Sequence, residues 1–429
     1  MAKVQGPLSG FRDLLSAQMI AREKVLDIIT STYELYGFMP IKTPAIELFE
    51  TLNGKYGDEA KTLIYDFEDR GKRHLALRYD HTVPLARLMA MQGQSLPSPY
   101  KRYVIGDVWR GESPQAGRYR EFTQIDADIV GTYSCLSDAE IIAMMDDVFS
   151  ALKLEVEIRV NDRRILNGLA NSAGVTKETD FHKFVTVIDK VGKVGASQVT
   201  KEIEQLFGSK AKKVVSDFLS NEQTFDSVLK LLNNEKTSIG LENLENIMNV
   251  LKPLKLKNVI FDPTIARGLN YYTSTIFETL IVGNEGLGSV CAGGRYDDLI
   301  RQLGGPDSPV VGTSIGLDRL MEGLSSLNSE ETKHTKTVIY ISNLDSVYDA
   351  DRLAIAHKLR KANIPTELIY SEAKLGKQLE SIDKMGVNLV IIYGKAEHQK
   401  GIVLVKDLAN STQQEVAIDD LVAFVNNLI

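Results

Sequence analysis

Residues 101–131 read KRYVIGDVWRGESPQAGRYREFTQIDADIVG, two stretches of strand length flanking a turn segment, 111–117, whose Gly, Ser and Pro content breaks regular structure. This hairpin constrains the fold more than any other part of the chain, because strand side chains alternate between faces. In the second stretch Arg118, Arg120, Phe122, Gln124, Asp126 and Asp128 share one face, while Ile125, Ala127 and Ile129 share the other. The apolar set reads as core. The polar set combines cations, an aromatic, an amide and two acids, which packing alone does not require. Such a face suits a ligand with both phosphate and amine: Arg forks grip phosphate oxygens, an aromatic face stacks a base, and carboxylates accept from an ammonium or imidazole. A solvated sheet face with cross-strand ion pairs is the alternative reading.

Motif order narrows the choice. Trp109-Arg110-Gly111-Glu112, followed by Arg118 and Phe122, resembles motif 2 of class II aminoacyl-tRNA synthetases, with the GRYREF and Gln124…Asp128 spelling of the histidyl-tRNA synthetase family. Leu77-Arg78-Tyr79-Asp80-His81-Thr82-Val83-Pro84 resembles that family's first histidine-binding block. Ala266-Arg267-Gly268-Leu269-Asn270-Tyr271-Tyr272 resembles its signature histidine motif, and Ala292-Gly293-Gly294-Arg295-Tyr296-Asp297 the block after it. Gly312-Thr313-Ser314-Ile315-Gly316-Leu317-Asp318-Arg319 resembles motif 3. Each block is weak alone. Five in the family's order, over most of residues 8–322, are specific.

The resemblance implies an α+β fold: a class II antiparallel-sheet catalytic domain over 1–324 with a helical insertion at about 163–257, a linker at 325–336, and a C-terminal α/β anticodon-binding domain at 337–429. It implies a histidine–tRNA ligase that uses ATP, with Mg²⁺ carried on pyrophosphate oxygens and few carboxylates. Arg110 and Arg267 would hold the α-phosphate from two sides, Arg267 standing where other class II enzymes place metal. Arg118 and Arg319 would hold the β and γ phosphates, Phe122 would stack on adenine, and Glu112 would lie near its amino group or the tRNA end. Asp80, Thr82 and Gln124 match the histidine ammonium; Asp128 and Tyr272 match the imidazole, with Tyr296 closing the pocket. A carboxylate that demands an imidazole N–H rejects apolar isosteres, because it would be left unpaired.

Three departures stand out. Asn270 replaces the family's usual Asp and cannot carry its charge. Motif 3 ends Asp318-Arg319 rather than Glu-Arg, and the first block has Tyr79-Asp80 rather than Pro-Glu; both keep a carboxylate. Ser113 sits where many bacterial members have Arg, in a turn expected near the extra 5′ guanylate of histidine tRNA.

Composition fits a chain of two or three domains. At 429 residues, sizeable cores can be buried. No apolar run reaches membrane-spanning length, and the N-terminus lacks a basic-then-apolar signal. Only Cys135 and Cys291 are present, far apart, which points to a reducing cytoplasm and away from a disulfide scaffold or zinc cluster. The six His residues show no metal-ligand spacing, and Cys291 beside two glycines reads as a small packed residue. A net charge of −7 rules out RNA binding by bulk charge and leaves local patches, shape and base stacking. No P-loop occurs, residues 283–288 lack the strand-to-helix context of a dinucleotide loop, and the class I synthetase signatures are missing.

Outside the motifs, Ser16 is a plausible N-cap for a helix that Gly37 stops. Residues 37–44, with Pro40 and Pro44, resemble motif 1, and with it a homodimer edge. The segment 163–257 shows helical patterns but no chemistry-bearing cluster; it resembles the insertion that leans on the tRNA acceptor arm, and a solvated spacer is the alternative. Beyond residue 337 strands alternate with helices, and Lys374, Lys377 and Gln378 are expected to face RNA. Two rivals remain: a histidine-sensing regulatory subunit of ATP phosphoribosyltransferase, and a synthetase-like module sensing uncharged tRNA. Arg110, Arg267 and Arg319, together with a C-terminal domain, count against both.

Overall fold

The hairpin forms as its alternation predicts, and the rest of the first unit is built around it. The computed structural model describes residues 6–53, 55, 62–115, 117–267, 271–327 and 334–429. The chain divides into two compact units, one of residues 1–13 and 25–329, the other of residues 14–24 and 330–429. In the first, the strands are β1 (Met39–Pro40), β2 (Ile46–Leu48), β3 (Asp66–Glu68), β4 (His74–Leu77), β5 (Tyr100–Trp109) and β6 (Glu121–Val130). They continue with β7 (Val156–Asp162), β8 (Val259–Phe261), β9 (Thr275–Ile281), β10 (Cys291–Arg295) and β11 (Val310–Gly316).

Eight of them form one sheet in the order β1-β5-β6-β11-β10-β9-β7-β8, antiparallel except for parallel pairs at its two ends. The β1 edge holds Pro40, where a missing N–H is tolerated. Strands β2, β4 and β3 make a small separate sheet. Ile125, Ala127 and Ile129 are fully buried, as the alternation requires. They face the layer of the helix Cys135–Ala151, whose Met145 touches Cys291 and Thr313. Ser134 caps that helix by accepting from the Leu136 N–H, a contact worth about 1 kcal/mol.

One expectation fails here. The β5–β6 ladder begins at the pair Trp109–Glu121, so Arg118 and Arg120 precede the strand. Arg120 turns away from the sheet face; its Nε donates to the Glu112 carbonyl at 3.1 Å and its Nη1 to the Ser9 carbonyl at 3.3 Å. Turn residues do not obey the strand period, and alternation cannot be extended through them.

Between β7 and β8 lie six helices, from Arg163–Ser172 to Glu235–Leu251. Asp162 caps the first through the Arg164 N–H, and Val215, Phe218 and Phe184 are fully buried among the others. The first unit's last helix runs Leu317–Leu327, into the stretch expected to be a linker; residues 328–333 of that stretch lie outside the described residues.

The second unit has strands β12 (Ile339–Ile341), β13 (Thr366–Leu368), β14 (Leu389–Ile392), β15 (Ile402–Asp407) and β16 (Thr412–Ala417), ordered β13-β12-β14-β15-β16. Its core is Ile339, Ile341, Leu359, Ile391, Val403 and their neighbours. Lys374 and Lys377 are exposed, but Gln378 does not face solvent. It is 3% exposed; its Oε1 accepts from the Asn343 N–H at 2.9 Å and its Nε2 donates to the Asn343 carbonyl at 2.7 Å. Gln378→Ala should therefore lower the unit's stability by about 1–3 kcal/mol, the scale for buried polar groups losing their partner. A denaturant titration checks it; an unchanged midpoint with weakened RNA binding would restore the surface role.

Candidate active site

On the polar face of the large sheet lies a cavity of about 610 Å³. Each residue that the family resemblance assigned to ATP or histidine lines it: Asp80, Thr82, Arg110, Glu112, Arg118, Phe122, Gln124, Asp128, Arg267, Tyr272, Tyr296 and Arg319. Period-two alternation puts Phe122, Gln124 and Asp128 there directly; the others arrive from five separate segments.

One group is acidic and buried. Asp128 Oδ1 accepts a short hydrogen bond from the Tyr296 hydroxyl, and its Oδ2 lies 2.6 Å from Arg102 Nη2. Burial pushes the Asp128 carboxyl up to about 6 against the pull of Arg102, with Asp126 and Asp80 pushing the same way. Space for this carboxylate depends on Gly312, its partner across the ladder: a Cβ there would stand 1.8 Å from Oδ1. Gln124 Nε2 donates to Ser314 Oγ at 3.1 Å, and its buried Oε1 receives no donor. Asp80 Oδ1 accepts from the Thr82 and Val83 N–H groups at 3.0 and 3.1 Å and so fixes the start of the helix Thr82–Gln92. The rings of Tyr271, Tyr272 and Tyr296 form a buried wall, the Tyr271 centroid standing 5.0 Å from that of Tyr272 and 5.6 Å from that of Tyr296.

The other group is cationic. Arg110 Nε donates to the Tyr79 carbonyl at 3.1 Å, and its guanidinium stands 4.4 Å from the Tyr79 ring centre and 5.2 Å from that of Phe122. Arg319 Nη1 donates to the Ser289 carbonyl at 2.7 Å. Burial lowers the Arg319 guanidinium to about 10, helped by the like charges of Arg118 and Arg267. Arg267 approaches Ser289 Oγ at 3.5 Å and Glu278 Oε2 at 3.7 Å, and its buried Nε has no acceptor. Cations crowded until one is discouraged from charging make a site for a polyanion.

Several contributors escape the sequence reading. Arg102 is fully buried opposite Asp128 in the β5–β6 register. Tyr271 lines the cavity without having been given a role, and Asp126, placed by alternation on the ligand face, lines it without having been assigned a particular contact. Asp189 and Lys193 bring the helical segment 163–257 to the same cavity, two residues that no local pattern of that segment singles out. Burial raises the Asp189 carboxyl, while Arg267, Lys193 and Arg118 pull it down. Only the folded path brings Asp189 near Arg267; no local pattern marks it. Asp318 of the motif 3 block is structural: it accepts from Arg12 and, at 2.9 Å, from the Thr123 N–H. Cys291 lies 2.9 Å from Thr313 Oγ1, and burial pushes its thiol up to about 12, as suits a packed residue. Asn270 and Gly268 lie outside the described residues.

The family profile described as histidyl-tRNA synthetase matches residues 10–320, and that of the anticodon binding domain matches 337–428. The chain is 39% identical to the histidine–tRNA ligase of Rhodopirellula baltica, over 96% of this chain and 95% of that one. It belongs to the histidyl-tRNA synthetase family. Among solved structures, the histidyl-tRNA synthetase of Nostoc sp. PCC 7120 matches with a TM-score of 0.83 at 32% identity, covering all of both chains. A Bacillus halodurans structure titled ATP phosphoribosyltransferase regulatory subunit/histidyl-tRNA synthetase matches with a TM-score of 0.73 at 23% identity, over 89% of this chain and 97% of that one. That likeness shows the fold alone and gives the regulatory-subunit reading no advantage within the histidyl-tRNA synthetase family.

Proposed function

We infer that the chain is a histidine–tRNA ligase, which activates L-histidine with ATP and transfers it to the 3′ end of histidine tRNA. The observation that carries the site reading is the meeting, in one cavity, of the Arg110, Arg118, Arg267 and Arg319 cluster with the buried acceptors Gln124, Asp126 and Asp128. A triphosphate fits the first and an amino acid with a ring N–H fits the second.

The substrate carboxylate is already a nucleophile and needs no general base. Its oxygen bonds to the α-phosphorus in line, the bond to the β-phosphate oxygen breaks, and pyrophosphate leaves. Catalysis then consists of alignment and charge neutralisation. Arg110 and Arg267 hold the α-phosphoryl oxygens, Arg118 and Arg319 the leaving pyrophosphate, and Phe122 stacks on adenine with Glu112 at its amino group. Asp80, Thr82 and Gln124 receive the ammonium; Asp128 and Tyr272 receive the imidazole, and Tyr296 steadies Asp128. In the second step the terminal adenosine hydroxyl attacks the adenylate carbonyl and AMP leaves. Among the described residues no three or more His, Cys, Asp or Glu gather to hold a metal ion. Mg²⁺, as we propose it, accompanies ATP on phosphate oxygens.

We assign catalysis to residues 1–324, anticodon recognition to 337–429 with Lys374 and Lys377 facing RNA, and the cytoplasm as the place of work. No helix among the described residues is long and apolar enough to cross a membrane. Histidine-dependent exchange of pyrophosphate into ATP by the purified chain tests the function. Binding of histidine without exchange would favour the sensor instead.

A homodimer through residues 37–50 is also proposed. Met39 on the β1 edge is 62% exposed, and Ile46 and Leu48 on β2 of the small sheet are 45% and 52% exposed, apolar side chains that a twofold partner would cover. A solution mass of twice 47.6 kDa at micromolar concentration is expected. A fully active monomer would refute it.

A further inference from the structure

Asp126 is 2% exposed, sits on the cavity face of β6 between Gln124 and Asp128, and no particular substrate atom is assigned to it in the reaction described above. Its Oδ1 is buried and receives no donor among the described residues. A carboxylate oxygen taken from water without a replacement donor costs about 1–3 kcal/mol or more, so this one marks where a ligand N–H belongs. Its neighbours say which N–H. Asp128 is occupied by Tyr296 and Arg102. Asp126 instead faces Ser314 across the ladder, the residue whose hydroxyl accepts from Gln124. Burial raises the Asp126 carboxyl, and Arg102, a hydrogen bond with the Ser314 side chain, Arg110 and Arg78 all pull it down. An amino acid whose carboxylate reaches an Arg110-bound phosphate carries its ammonium on the adjacent carbon, and Asp126 lines the same cavity as Arg110 and Gln124.

We propose that Asp126 binds the α-ammonium of the amino-acid substrate beside Gln124, through the oxygen that the protein leaves without a donor. This rests on the histidine-pocket reading above. Arg102 is then a positioning residue: one buried guanidinium faces two buried carboxylates, and the substrate's ammonium supplies the missing positive charge.

The test separates ammonium from ring by ligand chemistry. Histidinol keeps the ammonium and imidazole; imidazolepropionic acid keeps the imidazole and lacks the ammonium. Asp126→Asn should weaken histidine and histidinol binding by roughly 10–100-fold and leave imidazolepropionic acid unchanged. Unchanged binding of all three, or an equal loss for all three, would overturn the inference. Asp128→Asn serves as the comparison and should weaken all three. If it weakens none, the pocket reading itself fails, whatever Asp126 does. Should a melting curve show Asp126→Asn to be unfolded, Asp126→Ser, smaller and also neutral, must give the same contrast.

Discussion

Arg267→Ala is expected to slow histidyl-adenylate formation by roughly 10²–10³, the scale for removing one preorganised donor at a reacting centre. Its geometry supports a role realised in the transition state. The guanidinium is held loosely, 3.5 Å from a hydroxyl and 3.7 Å from a carboxylate, with its Nε unpaired. A group that tightens its contacts only as charge develops changes the rate and leaves the histidine dissociation constant nearly fixed. A structural Arg267 predicts the reverse, a lower melting temperature with near-normal turnover of the folded fraction. Pre-steady-state adenylate formation measured beside a melting curve separates them, and normal adenylation by a folded variant would remove Arg267 from the mechanism.

Asp128→Ala should do two things at once. It takes an acceptor from the imidazole, weakening histidine binding by roughly 10–100-fold with ATP binding nearly intact. It also strands the buried Arg102, and breaking a buried pair by removing one partner typically costs about 3–5 kcal/mol. Asp128→Asn keeps the shape and isolates the binding effect. A pH series adds an independent check. Arg102 faces Asp128 from β5, Tyr296 from beyond β10, Asp126 along the same strand and Asp80 from before the Thr82–Gln92 helix. In the free protein the carboxyl ionises near 6, so histidine affinity should fall as pH drops through that region. The Asn variant should lose this component and keep only the free amino acid's own titration. Identical acid limbs in the two proteins would show that Asp128 does not meet the ring.

Much of the cavity could be anticipated because one strand carries so much of it: alternation alone placed Phe122, Gln124 and Asp128 together. Local pattern failed where register or chain path decides. Arg102 follows a lysine and precedes a tyrosine, and reads as surface charge until the ladder sets it against Asp128. Asp189 meets Arg267 only because six helices return to the sheet. Strand β16 goes unseen because Thr412, Gln413, Gln414 and Glu415 are exposed on both faces of an edge strand, with no apolar alternation to mark it. Gln378 was misplaced because a polar residue near a helix start suggests solvent, whereas here its amide replaces missing backbone partners around Asn343.

The depressed Arg319 has a consequence for the resting protein. Burial first, and then its neighbours Arg118, Arg267 and Arg110 against the pull of Glu112, disfavour its charge, and a polyphosphate would relieve the part that is repulsion. Nucleotide should consequently act as a scaffold as well as a reagent, raising the melting temperature with concentration as RT ln(1 + [L]/Kd). Under the proposed function, departure of pyrophosphate would return the cluster to its unscreened state, ready for the next triphosphate. High salt, by screening the same charges, should stabilise the empty form and blunt the nucleotide's effect.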